Sequence, residues 1–150
     1  MNQRHTLPSV FLADDDEDDR FLFETAFKEV TDEAQLVMAH NGKELMNILE
    51  LTVPPPPEVI FLDLNMPLKN GFVCLSEIRK TNKLKDIPVV IFSTTSHQEH
   101  INRVFEGGAN YYMRKPDSFP KLKNAIERVL SIDWEQEAFQ PSRDQFVLDY

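Results

Sequence analysis

The stretch VIFLDLNMPLKNGF, residues 59–72, carries the reading of the fold. Val59, Ile60, Phe61 and Leu62 are apolar at every position, which suits a short strand covered on both faces rather than one with a wet side. An acid, Asp63, follows at once. Beyond the Met66-Pro67 loop, Phe72, Leu75 and Ile78 recur at helical spacing. A buried strand, a loop that opens on a charged side chain and a helix make one βα unit.

Outward from this unit the same order occurs five times. Apolar runs at residues 9–13, 36–39, 59–62, 89–92 and 111–113 read as strands. Between and after them, helical spacing links Phe21, Phe23, Ala26, Phe27 and Val30, then Leu45, Ile48 and Leu49, then Ile101, Val104 and Phe105. A last set joins Leu122, Ala125, Ile126, Val129 and Leu130. Punctuation agrees: Asn41-Gly42 opens the second helix, Gly107-Gly108 closes the fourth, and Pro88 stands at the start of a strand. Prolines 54–57 form a stiff connector, since such a run cannot pair in a central strand. The expected fold is α/β, a doubly wound five-stranded parallel sheet with (βα)5 order.

The pattern ends after Leu130, so residues 1–131 are expected to form the body and residues 132–150 a short C-terminal extension with no output domain. Trp134, Phe139, Phe146, Val147 and Leu148 make that extension apolar as well as acidic. Folding back on the body is the first reading, a dimer surface the second and disorder the third.

Composition narrows the function classes. The chain has 150 residues, 41% of them hydrophobic, and a formal charge of −9. At this length about 70% of the unfolded surface is buried on folding, enough for a core without staples. The single cysteine, Cys74, can make neither an internal disulfide nor a zinc cage, which fits a reducing, cytoplasmic setting. The acidic balance disfavours nucleic acid as a partner. No apolar run approaches the roughly 20 residues that span a bilayer, and the start lacks the apolar core of a signal peptide.

In an open parallel sheet, ligands gather beyond the carboxyl ends of the strands. Here the first strand is followed by Asp14 and Asp15, the third by Asp63, the fourth by Ser93 and the fifth by Lys115. Carboxylates from two strands repel one another unless a hard cation holds them, and oxygen-only ligation suits Mg²⁺. Asp63 is then a candidate nucleophile that takes up a phosphoryl group as an aspartyl phosphate. Lys115 would pair with the phosphoryl oxygens, and Ser93 would donate a hydrogen bond to another. Asp16, Glu17, Asp18 and Asp19 read instead as a solvated helix start, where acids favour the positive end of the helix dipole.

The stretches VFLADDDEDD (residues 10–19), VIFLDLNMPLKNGF, IPVVIFSTTS (87–96) and GANYYMRKP (108–116), in this order and spacing, resemble the receiver domains of two-component response regulators. That resemblance implies the flavodoxin-like receiver fold over roughly residues 9–130. It implies Asp63 as phosphoacceptor, with Mg²⁺ held by Asp14, Asp15, Asp63 and the backbone carbonyl of Asn65. It further implies Ser93 as the hydroxyl switch, Tyr112 as an aromatic rotamer switch, Lys115 as the phosphate contact and a cis Lys115-Pro116 bond. Ser93 stands where threonine is commoner, and Tyr111 and Arg114 are unusual beside the switch. The phosphodonor would be a histidine kinase. The extended loops and the Trp-containing tail resemble the small regulators associated with bacterial phytochromes, which implies a phytochrome-type kinase and makes a homodimer plausible. The output would pass to a downstream protein or by onward phosphotransfer.

The chain is expected to be a switch, not a turnover enzyme. Phosphatases with an aspartate nucleophile carry a second acid two residues on, and here that position is Asn65. A flavin-binding relative would need a hydroxyl-rich loop after the first strand, where only acids stand. The alternative is a receiver-like interaction module that works without phosphorylation. His97 and His100 read as an exposed helix start, Cys74 as core, Met66-Pro67 as loop-shaping, and Phe21, Phe23 and Phe27 as core or edge positions of the first helix.

Overall fold

The computed structural model describes residues 7–135 and 140–150. Five strands and five helices alternate: β1 (Ser9–Ala13), α1 (Glu17–Val30), β2 (Gln35–Ala39), α2 (Gly42–Thr52), β3 (Val59–Leu62), α3 (Gly71–Lys80), β4 (Val89–Ser93), α4 (Gln98–Glu106), β5 (Tyr111–Arg114) and α5 (Phe119–Leu130). The strands are all parallel in the order β2-β1-β3-β4-β5. Crossovers by helix are what parallel neighbours require, and they cover both faces.

Alternate strand residues feed two cores. Phe11, Ile60, Leu62 and Ile91 pack with Leu45 and Leu49 of α2, Leu75 and Ile78 of α3, and Ile101 and Val104 of α4. On the other face Leu12, Phe61, Phe92 and Met113 meet Phe23 and Phe27 of α1 and Leu122, Ile126 and Val129 of α5. Phe23, Phe61 and Phe92 form a set of edge-to-face rings with centroids 5.0–5.8 Å apart, an arrangement the ring quadrupoles favour. β1, β3 and β4 are almost wholly buried, which is why their runs are uniformly apolar, whereas β2 lies at an edge and is half exposed. Cys74 is buried in the first core, and desolvation pushes its thiol up to about 12. Phe21 is the exception among the α1 aromatics, being exposed.

Helix starts follow local chemistry. Asp16, Asn41, Asn70 and Ser118 are N-caps whose side-chain oxygens accept backbone N–H bonds of 2.8–3.3 Å. α4 lacks this device: His97 at its N-cap makes no side-chain cap bond. The connector before β3 has cis bonds at Val53-Pro54 and Pro54-Pro55. Lys115-Pro116 is not cis, which corrects the implied isomer; trans is the favoured form even before proline, and Lys115 reaches its partners with it.

The C-terminal segment folds back on the body. After a 3₁₀ turn at Arg143–Gln145, Val147 makes a parallel bridge with Tyr112 on the free edge of β5. Phe146 enters the first core and Leu148 the second. Trp134 lies half-buried with its ring 6.0 Å from that of Tyr111. Phe139 lies outside the described residues. No helix among the described residues is long and apolar enough to cross a membrane.

Candidate functional site

Strand register builds the site. Ala13 is level with Ala39 on one side and Leu62 on the other, so the residues that follow β1 and β3 emerge side by side. The Asp63 N–H donates to the Ala13 carbonyl at 3.0 Å, and the Asp14 N–H donates to the Ala39 carbonyl at 3.1 Å. Arg20 reaches back from α1, its Nη1 donating to the Asp14 carbonyl at 2.9 Å. Both aspartates are buried and held by backbone, while Asp15 beside them is exposed.

Lys115, one residue past β5, closes the cluster. Its Nζ lies 2.7 Å from Asp14 Oδ2, 2.9 Å from Asp19 Oδ2 and 3.0 Å from Asp63 Oδ2. An ammonium has three N–H donors, so all three are engaged. Burial alone would lower the Lys115 pKa, but the carboxylates around it outweigh that and raise it. Burial raises Asp14 to about 6 and also raises Asp63; the Lys115 charge only partly offsets it. Three carboxylates, of Asp14, Asp19 and Asp63, thus stand against one ammonium.

A divalent cation fits that imbalance. Asp14, Asp15 and Asp63 each offer a carboxylate oxygen, and these oxygens lie within 4.8 Å of one another. An all-oxygen set with one exposed member leaves room for water, as Mg²⁺ and Mn²⁺ prefer. Asn65 is exposed, and the backbone N–H of Leu64 donates to the Asp63 carboxylate at 2.8 Å. The loop thus fixes the orientation of Asp63.

Ser93 sits differently from its expected place. It is the last residue of β4, fully buried, and its carbonyl accepts the Lys115 N–H at 2.9 Å. Its hydroxyl accepts the Thr95 N–H at 3.4 Å. Tyr112, also fully buried, donates its hydroxyl to the Thr95 carbonyl. The Ser93 hydroxyl and the tyrosine therefore meet on the backbone of Thr95, which donates to the one and accepts from the other.

Asp19 is the residue that the sequence reading misplaced. Asp16 does serve as the helix cap, but Asp19, though partly exposed, also reaches Lys115 with its carboxylate. Asp19 lies at the end of the first turn of α1, and no spacing in the sequence links it to Lys115.

A family model described as the response regulator receiver domain matches residues 10–127. Response regulator Rcp1 from Synechocystis is 29% identical over 126 residues, which cover 81% of this chain and 86% of Rcp1. The crystal structure of Mn²⁺-bound Rcp1 superposes with a TM-score of 0.74 at 27% identity, over 90% of this chain and 99% of the other. The phosphorylated cyanobacterial phytochrome response regulator RcpA gives a TM-score of 0.78 at 29% identity, over 91% of this chain and all of RcpA.

Proposed function

The chain belongs to the response regulator receiver family, and on that premise we propose that Asp63 is its phosphoacceptor, with Asp14, Asp15, Asp63 and the Asn65 carbonyl holding Mg²⁺. Receiver domains of two-component systems are signalling switches. The observation that carries the residue assignment is the convergence of Asp14, Asp63 and Lys115 from three strand ends within salt-bridge distance. In the reaction an Asp63 carboxylate oxygen attacks phosphorus, a P–O bond forms and the bond to the donor breaks. Bound Mg²⁺ would neutralise charge on the phosphoryl oxygens. Lys115 already touches Asp63 and turns its donors to the new oxygens; the Leu64 N–H keeps the carboxylate aimed.

The phosphodonor we propose is a histidine kinase of the phytochrome type, on the likeness to RcpA, acting in the cytoplasm. The signal leaves by docking to a downstream protein or by onward phosphotransfer, with no turnover of an external substrate and no contact with nucleic acid. A homodimer would fit the same likeness, and light scattering with and without phosphorylation decides it.

Intact-mass measurement after incubation with acetyl phosphate tests the reading. One added phosphoryl group is expected, requiring both Mg²⁺ and Asp63, and Asp63→Asn should show none while keeping its melting transition. Labelling of Asp63→Asn at the wild-type level would overturn the assignment. No adduct, together with no binding of beryllofluoride, would favour the phosphorylation-independent interaction module.

A further inference from the structure

Residues 140–148 are bound to one region of the body, and that region surrounds Tyr112. The Tyr112 N–H donates to the Phe146 carbonyl at 2.9 Å, and the Leu148 N–H donates to the Tyr112 carbonyl at 2.8 Å. The Phe146 ring is fully buried, 5.1 Å from that of Phe105 on α4 and 6.5 Å from that of Tyr112. Gln140 Nε2 donates to the carbonyls of Phe105 and Ala109 at 2.6 and 2.8 Å. Arg143 donates to Asn102 Oδ1 and Gln98 Oε1 at 2.8 and 2.9 Å. The segment therefore ties both ends of α4 to β5.

The geometry decides where Tyr112 can go. β5 is the outermost strand, so a Tyr112 side chain leaving Thr95 must swing toward the free edge of the sheet. Phe146 and Phe105 stand there. Interiors are close-packed, and two aromatic rings cannot share that space. We propose that Phe146 is a positioning residue that holds Tyr112 inward, hydrogen bonded to the Thr95 carbonyl, and thereby sets the switch of the phosphoacceptor site. The inference rests on the receiver reading above for its consequence but not for its geometry.

Linkage gives that consequence. If phosphorylation favours inward Tyr112, then a tail that favours inward Tyr112 strengthens binding at Asp63 by the same factor. The tail and the phosphoryl group act on one two-state element.

Two measurements on the full chain and on Phe146→Ala test this. In the first, Mg²⁺-dependent beryllofluoride binding is followed by calorimetry. The variant is expected to bind more weakly by about fivefold or more, the lower end of ordinary coupling. In the second, nitration by tetranitromethane is mapped by peptide mass, with the exposed Tyr150 as internal standard. Tyr112 should be protected in the full chain and reactive in the variant. Where Phe146→Ala fails to fold, Phe146→Leu takes its place under the same criteria. Protection and affinity both unchanged in a folded variant would overturn the proposal, and so would exposure of Tyr112 with unchanged affinity. Failure of the full chain to bind beryllofluoride would refute the phosphoacceptor reading, and the nitration result would still decide whether Phe146 positions Tyr112.

Discussion

A lysine surrounded by three carboxylates has to release some of them before it can hold anything else. Asp14 and Asp63 belong to the oxygen set that fits a cation, whereas Asp19 does not. Asp19 therefore competes with phosphoryl oxygens for Lys115 and adds a negative charge beside them. Its side chain is 40% exposed, which limits the effect by solvent screening. Asp19→Asn is expected to tighten beryllofluoride binding by about twofold to fivefold at low salt, the range of partly exposed ion pairs. The gain should shrink as ionic strength rises. Weaker binding in the variant, read by calorimetry, would show that Asp19 anchors Lys115 instead of competing for it. Asp14, Asp63 and Lys115 were legible in the sequence because the two acids directly follow apolar runs and the lysine stands two residues past one, and parallel strands bring such positions to one edge. Asp19 was not, because an acid in a first helical turn already has a sufficient explanation in the helix dipole.

At the scale of elements, the β3–α3 connection matters most, because it carries Asp63 and Asn65 and then turns into a helix within a few residues. Its tightness depends on Gly71. A Cβ there would lie 2.2 Å from the Asp63 carbonyl oxygen and 2.8 Å from the Leu64 Cα, and both are backbone that cannot step aside. Leu68 in the same loop holds a left-handed φ of 67°, a further constraint on the path. Gly71→Ala is expected to cost about 2 kcal/mol or more of stability, since overpacking against fixed atoms is not relieved by rotamer changes. It should also weaken Mg²⁺ binding, because the loop can relax only by moving Asp63. Gly107→Ala is the control: its Cβ would meet a Leu75 methyl at 3.1 Å and the Arg103 carbonyl at 3.3 Å, and the leucine can give. Denaturant midpoints and a Mg²⁺ titration of both variants check this; equal effects would remove the steric argument. The βα boundaries were readable because strands buried on both faces leave uninterrupted apolar runs. Ser93 fell inside β4 rather than after it, since a buried hydroxyl with partners can end a strand as well as begin a loop.

For the whole molecule, the order of five βα units followed from hydrophobic periodicity, but the seat of the tail did not. Phe146, Val147 and Leu148 announce burial without saying against what, because a three-residue apolar run has no period and the free edge of β5 is a property of sheet order. In the fold, that segment completes both cores at once, Phe146 on the α4 side and Leu148 on the α5 side. It also holds α4 by polar contacts, Arg143 donating to the side chains of Gln98 and Asn102. Stability is then unevenly distributed: β1 and β3 are paired on both sides, while β5 has the tail as its second neighbour. A chain ending at Asp133 is expected to remain folded in its β1–β3 half and to lose hydrogen-exchange protection in α4 and β5, the units whose contacts go with the tail. Its melting point should fall, since removing one buried phenylalanine side chain alone costs about 3–5 kcal/mol. Exchange followed by mass spectrometry separates the outcomes. Protection lost evenly over all five strands would mean that the domain unfolds as one unit, and that the tail supports the whole sheet rather than the α4–β5 face.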